Sequence, residues 1–292
     1  METKFTFSDL HFENKRRKSQ EFADIAKELR RDIIKSLAMA KSGHTGGTLG
    51  LSDIFSVLFF GDVLRYKADD PNWDKRDKFV LSGGHLCPVL YSCLARAGYF
   101  PIEELSTLRK YGTRLQGHPG LDTELPGIET AAGSLGQGIS IAAGMAMTHK
   151  LLDKTDQRVF SLTGDGELQE GSVWETAMSA AQYKLDNLCW IVDDNDCQID
   201  GRVKDVMNIK PLDKKFAAFG FNVIECDGHD IDDIINAFDK FIANHKSGCG
   251  KPTVIIAKTY MGRGVSFMED LHTWHGNPPS FEQAEQALEE LK

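Results

Sequence analysis

The sequence is short of the features that mark several function classes. It has no C-x-x-C pair, since Cys87, Cys93, Cys189, Cys197, Cys226 and Cys249 are scattered singly. With no export signal beside them, neither a zinc site nor a disulfide framework is indicated, and Cys87 and Cys189, in apolar runs, read as core residues. Basic charge is scarce: 34 Lys and Arg stand against 43 Asp and Glu, a formal net charge of −9. Nucleic-acid binding needs a concentrated cationic surface, so no nucleic-acid partner is expected. The one basic tract, Asn14-Lys15-Arg16-Arg17-Lys18, reads as a solvated lead-in to the first helix. Long apolar runs are missing as well. Ile54 to Leu64 is broken by Ser56, Gly61 and Asp62 and is too short to cross a bilayer. The opening METKFTFSDL lacks the apolar core of a signal peptide. A cytoplasmic protein with no membrane role is expected. There is no linker-like segment and no repeat of fixed period. One domain over 1–292 is therefore expected, with 1–18 as an N-terminal extension and 279–292 as a closing helix.

What is present alternates between two hydrophobic periods. From Ser19 to Ala40 apolar residues recur at Phe22, Ile25, Leu29, Ile33 and Leu37, one face of a helix that Ser42-Gly43 should stop. SGHTGGTLG and an apolar segment to Leu64 follow. Short strands are expected at Asp77–Ser82, Arg158–Thr163, Leu188–Asp193 and Thr253–Lys258. Helices are expected at His85–Ala97, Ser172–Lys184 and Ile231–His245, and from Gly133 to Leu152. The small residues of that last segment would let another backbone approach closely, in the core or at a subunit contact. Strands alternating with helices make βαβ units, so the expected fold class is α/β, a parallel sheet with helices on both faces.

Chemistry is concentrated at the ends of two of these strands. SLTGDGELQEG sets Asp165 between two glycines after the first, and WIVDDNDCQIDG sets Asn195 after the next, thirty positions on. Parallel sheets bind ligands outside the carboxyl ends of their strands, and one crossover would bring these residues together. A carboxylate, an amide oxygen and a nearby main-chain carbonyl suit a hard cation such as Mg²⁺, with positions left for phosphate oxygens. Gly164 and Gly166 would let the backbone approach a diphosphate.

These segments resemble the thiamine-diphosphate motif, in the form with a downstream IDG that transketolases carry. SGHTGGTLG, KFVLSGGH, LQGHPG, ELPGIETAAGSLGQG and WHG occur in the same order as in that family, so the resemblance covers nearly the whole chain. It implies the thiamine-diphosphate-binding fold, in its diphosphate-binding domain. It implies that Asp165, Asn195 and the carbonyl oxygen of Cys197 hold Mg²⁺, or another divalent cation such as Ca²⁺ or Mn²⁺. Cys197 departs from the usual aliphatic residue, which a backbone ligand tolerates. Gly166 and Asn195 would touch the diphosphate, and Gly133, Ser134 and Leu135 would wall the aminopyrimidine. His85 and His275 would contact the cofactor, while His44, His118 and His275 would bind sugar hydroxyls and move protons, work that suits imidazole. His272 is a weaker candidate, and His11, His149, His229 and His245 read as surface or structural. Glu170 matches a glutamate that works at a subunit contact; Glu167 has no assigned counterpart.

The implied activity is transfer of a two-carbon ketol unit from a ketose, often a phosphate, to an aldose. A pyrimidine-binding domain belonging to the same active site does not follow within this sequence, and the tail after Pro278-Pro279-Ser280 reads as a finishing helix. The expectation is one subunit of a split transketolase, assembled as two copies of this chain with two of a separate C-terminal, pyrimidine-binding subunit. The open alternatives are a subunit of another thiamine-diphosphate enzyme, such as the α subunit of a 2-oxo acid dehydrogenase or 1-deoxyxylulose-5-phosphate synthase, and a non-catalytic scaffold on the same fold.

Overall fold

A computed structural model describes residues 5–292; the first four residues of the expected extension lie outside the described residues. Five parallel strands form the sheet: β1 (Lys78–Leu81), β2 (Val159–Gly164), β3 (Leu188–Asp194), β6 (Asn222–Asp227) and β7 (Thr253–Lys258), in the order β1-β2-β3-β7-β6. Every residue of β3 is buried, as expected for a central strand covered on both faces. The ladder pairs Leu162 with Leu81 and with Ile191, and Ile191 with Ile255. A small antiparallel ribbon, β4 (Cys197–Gln198) and β5 (Gly201–Arg202), leaves the end of β3.

Helices cover both faces. On one, α5 (Gln137–Met147), α6 (Gly171–Gln182) and α8 (Leu212–Phe219) pack Ile139, Val173 and Phe216 around Trp190 of β3. The other face carries α3 (Ser52–Phe60), α4 (Cys87–Ala97) and α9 (Ile231–Lys246). Outside them lies α1 (Ser19–Ala40), and α10 (Phe281–Glu290) packs on α1. The short α2 (Gly46–Gly50) and α7 (Val203–Val206) complete the set. Among the described residues no helix is long and apolar enough to cross a membrane.

Residues 5–18 run along the outer face as a strap. Arg96 in α4 has a fully buried side chain and holds the strap through the carbonyls of Ser8 and Leu10, each at 2.8 Å. The same guanidinium grips both oxygens of Asp32 in α1 at 2.7 and 2.8 Å and reaches Glu28 at 3.0 Å. Phe12 adds an edge contact to Phe60.

Four local expectations need correction. Helix α1 is closed by Lys41, whose φ of 53° reverses the chain before Gly43 is reached. The helix expected from Gly133 starts only at Gln137, because Gly136 has a φ of 80° and residues 134–136 form a turn, with Gly133 and Leu135 lining a cavity. Within it, small residues do allow close approach, to the sheet: a Cβ on Gly138 would stand 2.6 Å from Cα of Ser82. Strand β6 and helix α8 stand outside the expected set. At the sheet edge β6 alternates buried Ile224 and Cys226 with exposed Glu225 and Asp227, a half-polar pattern that hides a strand. The closing helix is present, capped by Ser280, whose Oγ accepts from the Gln283 amide.

Candidate active site

The carboxyl ends of β1, β2, β3 and β7 lead into one cavity of about 420 Å³. The winding of the chain reverses between β3 and β7, which is where an open parallel sheet leaves a crevice. Each strand exit supplies one part of the wall.

At the β2 exit, Asp165 is almost fully buried, and its Oδ1 accepts from the Gly166 amide at 2.8 Å. Its Oδ2 accepts from the Asp196 amide at 2.7 Å, tying the Gly-Asp-Gly turn to the β3 exit. There Asn195 donates through Nδ2 to Asp193 at 2.8 Å, while its Oδ1 accepts from the Cys197 amide at 2.8 Å. Thr259, from the β7 exit, donates to the other oxygen of Asp193. These bonds fix which way the Asn195 amide faces. Asp194 pairs with Lys210 at 2.8 Å. Among the described residues no group of three His, Cys, Asp or Glu side chains is placed to hold a metal ion, so a cation here would need mixed oxygen donors.

Four imidazoles close the other side. His85 is lifted from β1 by the turn Gly84–Leu86, and His44 precedes α2. His44 lies 4.9 Å from His85, 5.6 Å from His275 and 6.4 Å from His118, centroid to centroid, and His85 lies 5.3 Å from His275. Burial, reinforced by the neighbouring rings, brings His44 down to about 4 and His85 to about 3. Burial also lowers His275, and burial with the nearby Arg109 lowers His118. All four rings are therefore neutral near pH 7 and can each donate and accept one hydrogen bond. Nδ1 of His44 and of His275 is buried without a partner.

His44, His85, His118, His275, Gly133, Leu135, Asp165, Gly166, Glu170, Asn195 and Cys197 all line the cavity. Ser134 lies outside its lining, exposed beside Leu135. His272 also stays outside, and His229 is buried elsewhere, between Asp53 and the Tyr260 amide at 2.8 Å each. Met261, Asp193, Glu167 and Gln198 line the cavity without being among the expected site residues. Their signal is positional: each lies just past or at a strand end. Gly133, Leu135, Glu170, Ile199 and Asp200 form an exposed rim.

The sequence profile described as "Transketolase, thiamine diphosphate binding domain" matches residues 19–291. One subunit of the apulose-4-phosphate transketolase of Phocaeicola vulgatus is 41% identical over 262 residues, 90% of each chain. Human transketolase is 42% identical over 274 residues, which cover 94% of this chain and 42% of that protein. The crystal structure of transketolase from Campylobacter jejuni superposes with a TM-score of 0.82 at 36% identity, covering 93% of this chain and 43% of that one. The Pichia stipitis transketolase in complex with sedoheptulose 7-phosphate gives 0.86 at 31% identity, over 94% and 41%. This chain thus spans less than half the length of the single-chain enzymes and nearly all of the Phocaeicola subunit.

Proposed function

The chain belongs to the transketolase family, as its thiamine diphosphate binding domain, and on that premise we propose that it is the diphosphate-holding subunit of a two-chain transketolase. What supports the proposal is the cavity, where Asp165, Asn195 and four imidazoles face an exposed rim, together with the match to 90% of a relative named as a transketolase subunit. The reaction is transfer of a two-carbon ketol unit from a ketose phosphate to an aldose.

The residues present fit the cofactor. A Cβ on Gly164 would meet no heavy atom within 4 Å, and one on Gly166 none closer than 3.5 Å, so the loop leaves open space for a diphosphate. Asp165, Asn195 and the Cys197 carbonyl are hard oxygen donors, suited to Mg²⁺, and each carboxylate oxygen of Asp165 accepts a single amide, which leaves it a lone pair. Gly166 and Asn195 serve the diphosphate. Gly133 and Leu135, with His85 and His275, face the rest of the cofactor, Ser134 staying outside the lining, and Glu170 stands at the rim toward the partner. What the cofactor supplies when bound is the nucleophilic carbon and the electron sink for C–C cleavage. The chain's own part is to orient the sugar and handle its protons. His44, His118 and His275 bind donor hydroxyls, and as neutral rings they can accept a proton without first losing one and return it afterwards.

The partner is a separate pyrimidine-binding chain, in an assembly of two copies of each. One relative is named for a phosphorylated sugar, apulose 4-phosphate, which makes a sugar phosphate of that kind a donor to assay beside linear ketose phosphates. Six free thiols, five of them buried, suit a cytoplasmic setting. The test is reconstitution with a transketolase pyrimidine-domain chain from the same genome, given thiamine diphosphate, Mg²⁺, a ketose phosphate and an aldose. The pair should turn over and neither chain alone should. Full activity from this chain by itself would sink the two-chain reading.

A further inference from the structure

One carboxylate in the cavity wall has no part in that scheme. Glu167 follows the Gly-Asp-Gly turn by one residue, and only 2% of it is exposed. Its Oε1 accepts from the Gly136 amide at 2.8 Å and from the Ser82 hydroxyl, and its Oε2 accepts from the Gly164 amide at 3.3 Å. Ser82 Oγ in turn accepts from the Ile139 amide at 3.1 Å. These donors belong to three segments far apart in sequence: the β1 exit, the entry to α5 and the end of β2.

We propose that Glu167 is a positioning residue that braces the cofactor cavity, holding the wall at Gly133–Gly136 in register with the diphosphate loop at Gly164–Gly166. The inference rests on the reading of this cavity as the cofactor site. Its hydrogen-bond partners all donate to it, two of them main-chain amides, and the third, the Ser82 hydroxyl, is itself tied to the Ile139 amide. Glu167 borders the cavity, but its three hydrogen bonds are all made to the segments of the wall. Burial raises its carboxyl, and the bonds from Ser82, Gly136 and Gly164 pull the other way. The surrounding glycines belong to the same device. A Cβ on Gly136 would stand 2.8 Å from Cβ of Glu170, and one on Gly138 would press into Ser82, so only a bare backbone can come close enough for the brace to close.

Side-chain chemistry sets the test. Glutamine keeps the length but turns an amide nitrogen toward an N–H donor, so at least one amide loses its acceptor; alanine frees all of them. Thiamine diphosphate with Mg²⁺ is titrated by calorimetry into the reconstituted pair, and amide exchange at Gly136 and Gly164 is followed in this chain without cofactor. For E167Q the cofactor affinity should fall roughly tenfold, and for E167A further. Exchange at Gly136 and Gly164 should quicken in both, with Ile191 and Val192 of β3 unchanged, and S82A should show a smaller effect of the same kind. Turnover lost with E167Q should be regained in part as cofactor is raised. Unchanged exchange at the two amides in folded E167Q would overturn the brace. So would collapsed turnover at saturating cofactor with unaltered affinity, which would make Glu167 a reacting group. If the unmodified pair binds no thiamine diphosphate, the functional reading falls, and the exchange measurement still decides the brace.

Discussion

Replacing Arg96 with Met is the sharpest test of how the outer face is held. Both groups of the Arg96–Asp32 pair are fully buried, and the pair is bidentate at 2.7 and 2.8 Å. Methionine fills much of the same volume and leaves the Asp32 carboxylate without its cation. Breaking one partner of a buried pair costs about 3–5 kcal/mol, which for a domain of this size lowers the midpoint of thermal unfolding by roughly 6–20 °C. Replacing both residues with apolar ones, Asp32→Leu with Arg96→Met, should return at least half of that loss, since matched apolar pairs are often neutral relative to a buried ion pair. The Ser8 and Leu10 carbonyls released from Arg96 belong to a strap that water can reach. A pH series adds a sign. Burial already raises Asp32 against the pull of Arg96, and without the guanidinium it rises further. The folded variant then prefers the protonated acid, so the gap to the unmodified protein should narrow as pH falls. Denaturant unfolding at several pH values measures all of this. A loss under about 1 kcal/mol for Arg96→Met, or a double variant as unstable as the sum of the singles, would refute the reasoning.

Asp193→Asn should weaken cation-dependent cofactor binding by the pair about 10- to 100-fold, because an amide cannot accept from both Thr259 and Asn195; calorimetry with Mg²⁺ checks it. Gly138→Ala reverses the usual helix gain of about 1 kcal/mol. Its Cβ meets Ser82 backbone at 2.6 Å, so denaturant melts should show a net loss of about 1–3 kcal/mol. Acidification should destabilise the fold through the site histidines. The folded pKa values of His44 and His85, about 4 and about 3, lie below the ordinary 6.5, and His118 and His275 are lowered too. The unfolded chain therefore binds protons first, and stability falls from about pH 6.5 downward. H85N, compared with the unmodified chain at pH 7.5 and 5, should be the less acid-sensitive of the two.

The strands β2, β3 and β7 are legible because central parallel strands must be apolar on both faces, and Val159–Leu162 or Thr253–Ala257 has no other home; β1, at the other edge, is legible because Phe79–Leu81 are apolar and buried. β6 is not, since an edge strand with Glu225 and Asp227 turned outward looks like a loop. Gly133–Gly136 passes for helix because small residues suit both a tight helix and a bare wall, and only the positive φ of Gly136 separates the two. Asp165 and Asn195 can be found from spacing and flanking glycines, whereas His44, His85, His118 and His275 are singled out by the family resemblance of the segments that carry them. Glu167 and Asp193 cannot be given their structural parts, because what they bind is mainly backbone or a neighbour's amide, and no residue type in the sequence records where a main-chain N–H will point.

The central position of β3 has a consequence for assembly. Its exit carries Asp193, Asn195 and the link to Asp165, so the cation grip hangs from the strand that has neighbours on both edges and helices on both faces. Segments of that kind open only with the whole domain. On the proposed two-chain reading the grip should therefore be formed before the partner arrives, with little ordering entropy falling on this chain when the two meet. Association should behave as docking of a finished surface and not as folding upon binding, with the exposed rim around Leu135 and Ile199 as the surface presented.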